Sequence, residues 1–282
     1  MAKKPSVVQK ILVPTDFSPK AEQALKIACD LARITRSEIV LLHTIDLPYS
    51  TELRKEKLRT ELEKSAKPAL KEQVKRAKGE LARLKVTVNS KLVVGNPIQA
   101  IVKEAAEGKY DLICMGNRIS SGLRRFVFDN VTNGVIDLSP CPVLATTDKV
   151  KQVNLKSMVF GTDFREGDLN ILLRISRLAR ELKSKINVVH VCKKKSFEEE
   201  LKIAGFATLA NSKVAYNDMS FHQFVDSDVD EGIEAAIKAM NAGLVILSRE
   251  HRSFLDALFG SDVIDDMVYK AEIPVLVFPI SG

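Results

Sequence analysis

Short apolar runs punctuate the chain at wide intervals, and none of them alternates with polar residues. Residues 11–13, 39–42, 112–115 and 143–145 form such runs in the first half, and 158–160, 188–189, 244–247 and 275–278 in the second. Runs of this kind, rich in β-branched residues, predict strands buried on both faces of a parallel sheet. Between them lie helical patterns. Ser18 is placed to cap a helix with Pro19 at its first position. Ala21, Ala24, Leu25, Ala28, Leu31 and Ala32 then recur at i, i+3, i+4 and i+7 and give one apolar face. Leu172, Ile175, Ser176, Ala179 and Leu182 repeat that face in the second half. Further matched helices are predicted over Pro97–Glu107 and Asp230–Met240, and over Gly122–Leu138 and Phe254–Ala271.

The pattern is an internal duplication. Ile11-Leu-Val-Pro-Thr-Asp16-Phe17 matches Met158-Val-Phe-Gly-Thr-Asp163-Phe164, and Ser37, Ile39 and His43 match Ser184, Ile186 and His190, all 147 residues on. Farther along, Asp111–Gly116 matches Gly243–Ser248, and Cys141–Leu144 matches Ile273–Leu276, 132 residues on. The difference of 15 falls between the second and fourth strands, in the charged stretch of the first copy. The expected organisation is two α/β domains, 1–150 and 151–282. Each is a doubly wound parallel sheet with ligands expected beyond the carboxyl ends of the strands, where strand order reverses. Asp16 and Gly116, and Asp163 and Ser248, end the first and fourth strands, so each pair is expected to line one crevice.

Composition narrows the class. The apolar runs are far shorter than the roughly 18 residues that cross a bilayer. The basic N-terminus is followed by a short run that reaches Asp16, which reads as a first strand and not an export signal. Cys29, Cys114, Cys141 and Cys192 are far apart with no CxxC pair, which suits a reducing cytoplasm. Residues 1–150 hold 26 Lys+Arg against 17 Asp+Glu, and 151–282 hold 17 against 19. The basic excess, much of it in Arg54–Lys91, reads as a solvated helix. Nucleic-acid binding is disfavoured, because no aromatic stacking surface accompanies the charge.

Together these residues resemble the universal stress protein family in its tandem form. The first copy carries Val13-Pro14-Thr15-Asp16-Phe17-Ser18, Leu41-Leu42-His43, Val94-Gly95-Asn96-Pro97, Asp111–Gly116 and Cys141-Pro142-Val143-Leu144. The second keeps Thr162-Asp163-Phe164, Val188-Val189-His190-Val191 and Ile273-Pro274-Val275-Leu276. The resemblance implies five-stranded parallel sheets of the adenine nucleotide alpha hydrolase-like kind. It also implies pairing of the two domains through their last strands as an internal pseudo-dimer, with a homodimer of the chain left open.

The resemblance further divides members that bind ATP from members that do not. ATP binders carry Gly-x-x-Gly, nine residues, then Gly-Ser/Thr, whose backbone donors and helix N-terminus meet the phosphates. Here Gly116 matches, but Ile119 stands at the second glycine and Asp129-Asn130 at the Gly-Ser pair; the second copy reads Ser248, His251 and Ser261-Asp262. A carboxylate about 4 Å from a phosphate charge opposes binding by about 4 kcal/mol at an effective dielectric near 20. Arg118, Arg124 and Arg249 are candidate anion contacts that offset it. Asp16 and Asp163 match the adenine-contacting position, and Thr44 and Val191 a neighbouring backbone contact, with Gly95 and Gly116 as further nucleotide-binding candidates. A strand-ending Asp also caps backbone donors without any ligand. His43 and His190 read as structural, and His251 with Arg249, Arg252 and Ser253 as a small-anion candidate. No GxxxxGK[ST], GxGxxG or GxSxG occurs. The expectation is a non-enzymatic regulatory or stress-response module acting through protein partners, with no firm cofactor and no metal. The alternative is an ATP- or AMP-binding switch, weakly hydrolytic at most, sited in the first copy.

Overall fold

Four strands of each half form where the apolar runs predict them, a fifth forms after the second helix over 88–94 and 219–225, and their neighbours follow one order in each half. A computed structural model describes residues 6–47, 52–117, 131–147, 150, 153–249 and 273–279. The chain divides into two compact units, 1–148 and 149–282. Unit 1 comprises β1 (Lys10–Pro14), α1 (Pro19–Thr35), β2 (Glu38–Ile45), α2 (Glu52–Glu80), β3 (Val88–Val94), α3 (Pro97–Glu107), β4 (Leu112–Gly116), α4 (Val131–Leu138) and β5 (Val143–Thr146). Its strand order is β3-β2-β1-β4-β5, all parallel. Unit 2 comprises β6 (Ser157–Gly161), α5 (Glu166–Leu182), β7 (Lys185–Cys192), α6 (Phe197–Lys213), β8 (Met219–Val225), α7 (Val229–Ala239), β9 (Leu244–Ser248) and β10 (Val275–Phe278). Its order, β8-β7-β6-β9-β10, is the same and also parallel. Strand order reverses between β1 and β4 and between β6 and β9, so the two expected residue pairs do end adjacent strands.

Local chemistry explains the elements. Ser18 caps α1 by accepting from Ala21 N, Pro19 follows it, and the six predicted apolar positions are all buried. α3 spans the predicted residues, with Asn96 accepting from Ile98 N and Gln99 N. Its partner α7 begins one residue earlier than expected, at Val229, because Asp228 supplies the cap to Asp230 N and Glu231 N. The described part of the helix expected over Gly122–Leu138 is α4; the helix expected over Phe254–Ala271 lies outside the described residues. Strands β1, β4, β6 and β9 are almost wholly buried, whereas β3 and β8 carry exposed and half-buried side chains.

The 15-residue offset resolves into two changes. The β3–β8 match lies 131 residues on, and the α3–α7 match 132. Sixteen residues are therefore lost around the second helix, where α2 has 29 residues and α6 has 17. One is gained at the next turn. Gly95 donates to Ile45 O as Asp226 donates to Cys192 O, which makes them counterparts. Gly95, at φ 149°, turns directly into the cap residue. Asp226 takes the extra Ser227 and closes the turn by accepting from Asp228 N.

Candidate functional site

The Thr-Asp-Phe triplet at the end of the first strand builds the same knot in both units. In unit 1, Thr15 N–H donates to Leu42 O, Phe17 N–H donates to Thr15 Oγ1 at 3.1 Å, and His43 Nδ1 donates to Thr15 O at 2.8 Å. Phe17 sits at φ 63° with its ring 4.4 Å from the His43 ring. A left-handed aromatic residue costs on the order of 1 kcal/mol and persists where its surroundings over-determine it. Unit 2 repeats each part. Phe164 is at φ 64°, its N–H bonds Thr162 Oγ1 at 2.9 Å, and His190 Nδ1 bonds Thr162 O at 2.8 Å beneath the ring. The matched Thr, Phe and His positions of the repeat are thus one structural device, and both histidines serve it.

The aspartates inside that device have separate fates. Asp16 accepts from Ser18 N and Ser18 Oγ and pairs with Lys20 at 3.6 Å, with its side chain 57% exposed. Partial burial pushes its carboxyl up, but the Ser18 bonds and Lys20 outweigh this and hold it below the usual value. Asp163 is 19% exposed and is held by Arg165 Nε at 2.8 Å. Around it, α6 closes in. His190 Nε2 meets Glu199 at 2.9 Å, and Phe206 lies 5.1 Å from Phe164. Thr162 O and the Glu199 carboxylate both accept, so both ring nitrogens of His190 are committed. His43 Nε2 makes no hydrogen bond among the described residues.

Two matches decide the relationship. The model of the universal stress protein family matches residues 8–147 and, separately, 154–279. The chain belongs to the universal stress protein family. A universal stress protein of Methanocaldococcus jannaschii is 32% identical over 158 residues, covering 50% of this chain and 96% of its own length. A universal stress protein structure from Archaeoglobus fulgidus superposes at TM-score 0.72 with 17% identity, covering 98% of both chains. A solved universal stress protein in complex with cAMP is 25% identical and covers 50% of this chain, at TM-score 0.39. Among the described residues no helix is long and apolar enough to cross a membrane.

As a tandem universal stress protein, the chain is most informative at its one matching phosphate-loop glycine. A Cβ on Gly116 would lie 2.5 Å from Lys20 O and 2.8 Å from Ala21 N. The first turn of α1 therefore rests on Gly116, which accounts for the glycine without a ligand. In unit 2 the equivalent position is the fully buried Ser248, and the residue that matches Lys20 in the repeat is Gly167. Gly95 differs, since a Cβ there meets nothing within 4 Å. Thr44 and Val191 sit near the ends of β2 and β7, half-buried, and the Val191 side chain packs on α7 at Gly232. Arg249 follows β9 and is half-buried. Arg118, Arg124, Ile119, Asp129, His251, Arg252, Ser253, Ser261 and Asp262 lie outside the described residues.

Several of the engaged residues give no sign in the sequence. Gln73 of α2 is buried, accepts from Thr15 Oγ1 at 3.1 Å and donates to Glu22. A second polar chain crosses unit 2. Asn187 Nδ2 donates to Ser157 Oγ and Met158 O, which leaves Oδ1 to accept from Ser220 Oγ at 3.2 Å. Ser220 has one proton, so His222 Nε2, 2.8 Å away, donates to it. That direction is opposite to a base activating a serine. Burial, aided by Lys185, pushes the His222 imidazole below its usual value.

Glu199 gives this arrangement a pH dependence. Its carboxyl is held below the usual range first by the Lys202 hydrogen bond and then, against some burial, by His190. A depressed carboxylate contributes stability above its unfolded value, about 4.3, and loses it as pH falls through the folded value. Amide-exchange protection of α6 is therefore expected to fall below about pH 4.3. In Glu199→Gln the protection should be lower at neutral pH, with a shallower acid drop. Equal acid slopes in the two proteins would refute the assignment.

Proposed function

We propose that this tandem universal stress protein is a non-enzymatic stress-response module that acts by binding partners, with unit 2 retired from ligand binding. The contrast between the strand-end aspartates carries the reading. Asp163 is committed to Arg165 beside the His190–Glu199 and Phe164–Phe206 contacts, while Asp16 is 57% exposed. Commitments of the reactive side chains support the non-enzymatic part of this reading. Both nitrogens of His190 are engaged, His222 donates to Ser220, and the Cys29 thiol is pushed up to about 12 by burial with Glu80 nearby. Four buried free cysteines support a reducing, cytoplasmic setting.

A second reading keeps an ATP or AMP site in unit 1. It is favoured by the exposed carboxylate of Asp16 and the open space at Gly95. Mass spectrometry of the small molecules released by denaturing the purified protein separates the two. The preferred reading expects no stoichiometric adenine nucleotide and less than about 1 °C of thermal shift in millimolar Mg-ATP. A ligand at about a hundred times its Kd would contribute about 2.7 kcal/mol, several degrees. A shift of that size, abolished in Asp16→Ala, would establish the second reading instead.

A further inference from the structure

Helix α6 turns an uncharged face to solvent. Phe206 and Ala210 mark its inner side, with Phe206 against Phe164 and Phe221. At 100° per residue, Phe197, Leu201, Ala204, Gly205, Thr208 and Ser212 fall on the opposite arc, and all six are exposed. Phe197 is 76% and Leu201 56% exposed. The equivalent helix of unit 1 shows Lys64, Lys67, Lys71, Lys75 and Lys78 to solvent. An exposed apolar stripe on a charged background marks an interaction surface.

The grading of the stripe specifies its occupant. Its N-terminal half is bulky, with Phe197 and Leu201, and its C-terminal half is small, with Thr208 and Ser212. Crossing a second α6 antiparallel about Ala204 and Gly205 sets Phe197 over the partner's Ser212 and Leu201 over the partner's Thr208. Every large side chain then meets a small one, as close packing requires. A parallel crossing would set Phe197 on the partner's Phe197. Antiparallel pairing also opposes the two helix dipoles, while the flanking Glu198 is paired with Lys202 within its own helix. We infer that α6 is a self-association surface through which two copies of the chain pair antiparallel. It packs on β8, at the other edge of its sheet from β10, so it is separate from any last-strand pairing.

Sixteen residues of stripe span about 24 Å and, across a helix about 10 Å wide, cover roughly 240 Å², well under the about 800 Å² per partner of a standard interface. The pairing is therefore expected to be reversible, with half-association on the order of tens of micromolar. Sedimentation velocity of the full chain from about 1 to 300 µM, a range set around that value, should show a monomer–dimer equilibrium. Leu201→Glu, at an exposed site, should abolish it without changing the melting curve. Ala204→Cys should form a disulfide-linked dimer under mild oxidation, since the axis passes beside it and the four native cysteines are buried. A monomer at every concentration would overturn the inference. So would a dimer indifferent to Leu201→Glu, or an Ala204→Cys protein that crosslinks no faster than Lys213→Cys. Should Leu201→Glu fold poorly, the crosslinking comparison decides alone.

Discussion

Gly116→Ala is expected to lower the unfolding temperature of unit 1 by roughly 6–9 °C, with or without nucleotide. The added Cβ would lie 2.5 Å from Lys20 O and 2.8 Å from Ala21 N. These are backbone atoms of the first turn of α1, which Ser18 and Pro19 fix in place, so no rotamer change relieves the clash. Overpacking against a rigid neighbour costs about 2–3 kcal/mol, and each kcal/mol is roughly 3 °C for a unit of this size. Gly95→Ala makes the control. It meets no atom within 4 Å but must adopt φ 149°, which costs about 1 kcal/mol. Calorimetry gives the ranking, and hydrogen exchange in α1 locates it. If Gly116 is kept only for phosphate approach, Gly116→Ala leaves the ligand-free melt unchanged, and the packing account fails.

That glycine shows where reading the sequence stops. A glycine kept for a phosphate and one kept for an approaching helix are the same letter in the same loop. The four strands of each half that carry apolar runs, the cap at Ser18 and the apolar face of α1 were legible because each is set by neighbours a few residues apart. The structural reading of His43 and His190 also came from position, at strand ends without a matched nucleophile, and their shared Thr–Phe knot supplies the reason. The start of α7 shifted by one residue because Asp228 caps more effectively than the pattern alone reveals. What stayed hidden is long-range. Gln73 reaches Thr15 across 58 residues, and nothing in the basic α2 segment marks it as different from its solvated neighbours. Glu199 and Phe206 likewise depend on where α6 lands, which no periodicity encodes. The offset between copies looked like one 15-residue deletion; only the paired turns at Gly95 and Asp226 separate it into sixteen lost and one gained.

The same buried threonine is satisfied by unrelated partners, and this predicts unequal losses. In unit 1, Thr15 Oγ1 donates to Gln73, whose amide continues to Glu22 and Arg76, so the bond ties α2 to β1 through a partly exposed network. In unit 2, Thr162 Oγ1 donates to Asp168 at 2.6 Å, and Arg165 N–H donates to the same oxygen at 3.1 Å. Asp168 has no solvent exposure and occupies the position of Ala21 in the repeat. Truncation to alanine removes two charge-assisted bonds and strands the buried Thr162 hydroxyl, at about 3 kcal/mol. Gln73→Ala should cost about 1–2 kcal/mol, because Thr15 and Glu22 keep other partners or solvent. Chemical denaturation of the full chain checks the order. Thr162→Val also removes the acceptor of Phe164 N–H, so the double variant with Asp168→Ala should lose less than the sum of the two single losses, because the two singles share one bond, without returning to the wild-type level. Strict additivity, or an Asp168→Ala loss below about 0.5 kcal/mol, would refute the assignment of Asp168 as the buried partner that satisfies Thr162.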